Sequence, residues 1–170
     1  EPGAVGGRDQ AGMTPLMRAV ICRRRCAPVV RALLDRGAPV NAQSPGGFSA
    51  LHLAVDVDDP SADNAAEIIA SLVARGADLE LRQRYGWTPL LCAVVRGRTR
   101  EARFLLDLGA DANAPFPSDT VPAYCAGRTA LMAALACNAG CGMVAALLEA
   151  GADPLQRDGG GGDFFAYAEA

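Results

Sequence analysis

The chain repeats itself. Four times a hydroxyl residue opens a helix-forming phrase: Thr14-Pro15-Leu16, Ser49-Ala50-Leu51, Thr88-Pro89-Leu90 and Thr129-Ala130-Leu131. Gly-Ala follows each opening after 23, 27, 21 and 22 residues, at Gly37-Ala38, Gly76-Ala77, Gly109-Ala110 and Gly151-Ala152. Such self-similarity constrains the fold more than any local signal. A unit this short cannot bury its apolar face alone and must stack on its neighbours. A stack of this kind carries an extended pre-ordered surface, which directs the functional reading towards binding.

Each landmark has a local cause. A Ser or Thr oxygen accepts a hydrogen bond from an unsatisfied amide at a helix start, and Pro at the next position loses no needed donor. Gly after a second helix takes the left-handed conformation that other residues avoid. The second helices carry adjacent apolar pairs one turn apart: Val29, Val30, Leu33, Leu34; Ile68, Ile69, Leu72, Val73; Met143, Val144, Leu147, Leu148. That spacing predicts a broad buried stripe on each. Asp163, before Phe164-Phe165, stands twelve residues after Gly151, the interval that also separates Gly37 from Ser49 and Gly76 from Thr88. It is read as the start of a terminal capping helix.

The phrases Thr14-Pro-Leu-Met-Arg-Ala19, Ser49-Ala-Leu-His-Leu-Ala54, Thr88-Pro-Leu-Leu-Cys-Ala93 and Thr129-Ala-Leu-Met-Ala-Ala134 resemble the opening of the ankyrin repeat. Gly37-Ala-Pro-Val-Asn41 and Gly109-Ala-Asp-Ala-Asn113 resemble its closing phrase, with weaker matches at Gly76 and Gly151. Only His52 fills the family's His position, so the other three copies must replace that contact. The resemblance implies an all-α solenoid of helix-turn-helix units with β-hairpin-like connections. The expected layout is a flexible leader at 1–8, repeats at about 9–43, 44–82, 83–124 and 125–157, and a partial C-terminal cap at 158–170.

For function, the resemblance implies a non-catalytic module that binds a partner protein through a concave groove and hairpin loops. In such stacks the residue before the opening hydroxyl lies near the hairpin and faces the groove. Here those residues are Met13, Phe48, Trp87 and Arg128. Repeat three adds Arg82, Arg84 and Tyr85 before Trp87, and Arg96 near the end of its first helix. Trp, Tyr and Arg are the types enriched at interface hot spots. The structural alternative is that Trp87 and Phe48 seal the core between repeats.

Insertions in solenoids map to loops and often mark a binding face. The acidic stretch from Asp56 to Asn64 lengthens repeat two. A calcium-loop template fits it poorly, because Pro60 and Ser61 replace an oxygen ligand and the turn glycine. It is read as structural, with Asp59 or Ser61 capping the next helix and the acids facing Arg23, Arg24 and Arg25. The connection from Gly109 to Thr129 is 20 residues, eight longer than the others. Pro115, Pro117 and Pro122 stiffen it, and Phe116 and Tyr124 give it apolar tips. It is either a partner contact or a lid packed back on repeats three and four.

Composition narrows the rest. A net charge of −3 and a pI near 5.1 do not suit a general grip on nucleic acid. No apolar run approaches the ~20 residues of a membrane span. All 16 basic residues are Arg, which reflects a GC-rich genome. No Ser-His-acid set, phosphate loop or metalloprotease helix is present, and His52 is assigned to its structural slot. The expectation is therefore a monomer that is not an enzyme and has no cofactor or metal. A cytoplasmic location is expected, with a secreted or periplasmic one left open because the chain begins at Glu1. A competing reading is a redox- or metal-responsive module using Cys22 with Cys26 and Cys137 with Cys141. A third is an inhibitor or immunity-type binder of a cognate enzyme.

Overall fold

The opening hydroxyls cap helices. Thr14, Thr88 and Thr129 each accept a hydrogen bond from the amide three residues on, at 3.3 Å from Met17, Leu91 and Met132. In repeat two the cap is reciprocal: His52 N–H donates to Ser49 Oγ at 3.4 Å, and Ser49 N–H donates to His52 Nδ1 at 3.3 Å. That places the imidazole proton on Nε2. His52 is buried and fills the structural slot expected of it. In repeat one the Met17 sulfur takes the same position, 3.5 Å from Thr14 N–H.

The computed structural model describes residues 5–22, 27–56, 62–117 and 127–168. Within them the chain forms four pairs of helices and a ninth helix, joined by tight turns. The pairs are α1 (Pro15–Ile21) with α2 (Ala27–Asp35), α3 (Ala50–Asp56) with α4 (Ala62–Ala74), α5 (Pro89–Val95) with α6 (Thr99–Asp107), and α7 (Ala130–Ala136) with α8 (Cys141–Glu149). The ninth, α9 (Phe164–Ala168), begins where Asp163 accepts a hydrogen bond from Ala166 N–H at 3.1 Å. Each second helix ends alike. Gly37, Gly76, Gly109 and Gly151 have φ between 79° and 94°. The following alanine amide returns to the carbonyl five residues back, at 2.9–3.0 Å, a Schellman closure.

The chain divides into two compact units, Glu1–Arg84 and Tyr85–Ala170. In the first, α1 packs on α3 and α2 on α4. In the second, α5 packs on α7, α6 on α8, and α7 also carries α9. First helices thus stack on first helices and second on second, the arrangement of an all-α repeat solenoid. Leucine, isoleucine, valine and alanine fill both cores. Asparagines after the closing glycines tie one repeat to the next. Asn41 donates to Gly76 O and accepts from Asp78 N–H, both at 2.9 Å. Asn113 does the same with Gly151 O and Asp153 N–H, at 3.1 and 2.7 Å. Arg31 with Glu67 and Arg75 with Asp35 add exposed ion pairs across the first unit, of ~0–1 kcal/mol each.

In the acidic stretch of repeat two, Asp56 ends α3 and residues 62–64 form the first turn of a 13-residue α4, which starts next to Ser61, one of the two residues read as its cap. Asp58, Asp59, Pro60, Ser61 and the arginines 23–25 lie outside the described residues. The buried stripes are incomplete at two helices, with Val29 48% and Leu148 42% exposed. Among the described residues no second helix precedes α2 or follows α8, so those side chains lack a covering neighbour. Finally, Arg8 is held, donating to Gly12 O and Gln43 O at 2.7 Å each.

Candidate partner-binding surface

Tight hairpins place the residues that precede the caps. In the first unit Asp9 Oδ1 accepts from Ala11 and Met13 amides at 2.8 and 2.9 Å, and Asp9 N–H donates to Met13 O at 3.0 Å. The Arg18 guanidinium bonded to Asp9 holds its carboxyl below the ordinary carboxylate range. Ser44 and Phe48 close the next hairpin, with Ser44 N–H 2.9 Å from Phe48 O. Met13 and Phe48 emerge half-buried. Phe48 turns its ring against His52, edge to face with centroids 6.1 Å apart, so it both seals the helix start and offers an outer edge.

Arg82 and Arg84 are exposed and flank the buried Gln83. Backbone bonds fix them there. Arg82 O accepts from Gln43 Nε2 at 2.8 Å, and Arg84 N–H donates to Gly46 O at 3.0 Å. The close approach explains a glycine: a Cβ on Gly47 would stand 2.5 Å from Arg84 N.

In the second unit Tyr85 is 54% exposed. Trp87 is half-buried. Its indole meets Phe116 edge to face, with centroids 5.7 Å apart and planes at 86°. Phe116 itself is 1% exposed, which corrects the expectation of an apolar tip. The long connection begins as a hairpin, with Phe116 N–H donating to Arg128 O at 2.8 Å and Gly127 N–H to Pro117 O at 3.1 Å. That pairing turns the phenyl ring inward, where it supports Trp87 from behind. Tyr124 and Pro122 lie outside the described residues.

Arg128 is drawn to the cap instead of standing open. Its guanidinium lies 4.1 Å from the ring centroid of Tyr167 on α9. Tyr167 Oη–H donates to Asp158, and that bond lowers the Asp158 carboxyl while raising the Tyr167 phenol. Arg96 is exposed, but it caps the far end of α5. Seven helical residues, ~10 Å at 1.5 Å each, separate it from the Trp87 end. The structure therefore groups Tyr85 with Trp87, buries Phe116 behind Trp87, and sets Arg96 and Arg128 apart from them.

Reactive chemistry is sparse. Among the described residues no cluster of three or more His, Cys, Asp or Glu is arranged to hold a metal ion. Cys22, Cys92, Cys137 and Cys141 are not joined in disulfides; Cys26 and Cys125 lie outside the described residues. No described helix is long and apolar enough to cross a membrane. One surface escaped sequence reasoning: the outer face of α8, where Val144 and Leu148 line an apolar pocket of about 380 Å³.

Comparison with known proteins matches this architecture. Residues 60–158 match a model of three ankyrin repeats, and residues 11–45 match a single ankyrin repeat. Protein fem-1 homolog A-like of Mus musculus is 37% identical over 98 residues, covering 58% of this chain and 14% of that protein. Protein phosphatase 1 regulatory subunit 27 of Mus musculus is 36% identical over 98 residues, covering 55% of this chain and 60% of that protein. An ankyrin repeat domain from Acinetobacter baumannii AYE superimposes with a TM-score of 0.79 at 29% identity, covering 97% of this chain and 78% of that one.

Proposed function

Because this chain belongs to the ankyrin-repeat family, we propose that it is a non-catalytic module that binds a partner protein. The family supports a protein partner in general; the contact surface is our own assignment. It centres on Tyr85 and the outer edge of Trp87, beside the hairpin that leads into α5. One observation carries it: an exposed tyrosine stands two residues from a tryptophan whose inner edge rests on the buried Phe116. Aromatics held in place by packing lose little freedom on binding, so more of their contact energy appears as affinity. Among the candidates of the first unit, Arg82 and Arg84 are exposed cations, and they favour a partner with acidic groups.

Other observations support the same class. The relative named as a regulatory subunit of protein phosphatase 1 is, by that name, a protein that works through another protein. The bonded pair Ser49 and His52 caps a helix, which accounts for the histidine without chemistry. We place the protein in the cytoplasm as a monomer; the four described cysteines, which stand outside disulfides, suit that compartment.

The test is affinity capture from the source lysate with wild type and Tyr85→Ala. Tyr85 lies on the surface, so the variant should melt as the wild type does. A hot-spot tyrosine contributes ~2 kcal/mol, so affinity for the captured protein should fall about 30-fold. Equal retention by a folded Tyr85→Ala protein would remove this surface from the account.

A further inference from the structure

Two hairpins are built on one plan and closed differently. Asp9 stands five residues before the cap residue Thr14, and Asp158 five before Asp163. In each, Oδ1 accepts the amides two and four residues on. Ala11 and Met13 donate to Asp9 at 2.8 and 2.9 Å, and Gly160 and Gly162 donate to Asp158 at the same two distances. The second carboxylate oxygen then meets the side chain four residues past the cap. That side chain is Arg18 in the first hairpin and Tyr167 in the other.

Tyrosine in the place of arginine has a consequence one repeat back. A guanidinium pairs with Asp9 directly. A phenol gives Asp158 a hydrogen bond but no positive charge, and it presents a ring face that attracts a cation. Arg128 supplies that cation, 4.1 Å from the ring centroid. Room for the ring comes from Gly162. It is the residue before the cap, the position that Met13, Phe48, Trp87 and Arg128 fill in the four repeats. A Cβ on Gly162 would stand 3.3 Å from Tyr167 Oη. Arg128 is thus half-buried against Tyr167, although it stands in the register of Trp87.

We propose that Tyr167 sets the specificity of this register by masking Arg128, whose guanidinium is the contact for a carboxylate on an acidic segment of the partner. The proposal rests on the reading of the chain as a protein-binding module, and not on the Tyr85 surface. An Asp or Glu side chain offers Arg128 two charge-assisted hydrogen bonds, which a ring face does not. The partner must displace the ring to make them. An arginine at position 167 would close Asp158 as Arg18 closes Asp9, and would leave Arg128 open.

Arginine labelling by phenylglyoxal, read residue by residue by mass spectrometry, tests this on the full chain. The exposed Arg100 is the internal reference. Arg128 should label slowly in wild type and about fivefold faster in Tyr167→Arg, the factor that an exposed cation–π contact represents. Tyr167→Leu, which removes the ring without adding charge, should give the same gain. Hexaglutamate is the probe for the partner's carboxylates. It should slow the labelling of Arg128 in both variants and leave the wild-type rate unchanged. Equal labelling of Arg128 in wild type and in the folded variants overturns the proposal. So does fast labelling that hexaglutamate does not slow, because the released guanidinium then takes no carboxylate. A gain confined to Tyr167→Arg assigns the effect to the new charge and also overturns it. The readout needs no captured protein. Its failure leaves the Tyr85 surface intact, and an unaffected Tyr85→Ala capture leaves the masking of Arg128 standing.

Discussion

Phe116 supports Trp87 edge to face, with 5.7 Å between ring centroids, and the supporting ring is buried while the supported one reaches the surface. Replacing Phe116 by Ala should destabilise the fold by about 3–5 kcal/mol, the usual cost of emptying a buried phenylalanine site. Trp87 is the single tryptophan of the chain, so its fluorescence reports the change. A lower denaturation midpoint and red-shifted native emission are expected. An unshifted emission maximum would mean that the indole does not depend on Phe116.

Gly86 has φ of 76°, and a Cβ there would stand 2.3 Å from Pro117 Cγ. Gly86→Ala therefore meets two obstacles, a left-handed backbone that costs ~1–2 kcal/mol for an L-residue and a ring it cannot pass. Chemical denaturation should show a loss above ~2 kcal/mol by the same reckoning. A neutral substitution would contradict the hairpin placement of Pro117.

Asn113 closes two bonds to the next repeat, one as donor and one as acceptor. Because both are exposed, Asn113→Ala should cost only about 1 kcal/mol by equilibrium unfolding. Asn41→Ala should behave alike in the first unit, where the same pair of bonds recurs. Loss from one asparagine alone would show that the two clamps are not equivalent.

The Asp158–Tyr167 bond gives a pH dependence of defined sign. The hydrogen bond from Tyr167 lowers the Asp158 carboxyl below its usual value of 3.8. A group depressed by folding stabilises the native state above its unfolded pKa, and that contribution vanishes as pH falls through the folded value. Wild type should thus melt above Tyr167→Phe at neutral pH. The two curves should converge below pH 3.8 as Asp158 is protonated. A gap that persists unchanged in acid would mean that the Tyr167 hydroxyl stabilises the fold without the ionised Asp158 carboxylate.

Much of this architecture can be read from the chain because its cues are local. Thr14, Thr88 and Thr129 cap the helices they precede, and Asp163 opens α9, through bonds spanning three residues. What escaped depends on neighbours. Leu148 has the same helical spacing as Leu34, but periodicity does not say whether another helix arrives to cover it. Phe116 lies between prolines and reads as a projecting tip until the hairpin bond to Arg128 O turns it inward. Arg128 occupies the groove register of Trp87, yet Tyr167 of the cap claims its guanidinium.

The most direct test of the central claim is a photoreactive side chain placed at position 85, compared with one at the exposed Arg100 on α6. After irradiation with the captured protein, the account predicts a crosslinked complex from position 85 and little from position 100. Crosslinking at position 100 with none at position 85 would contradict it and move the binding surface to the second helices.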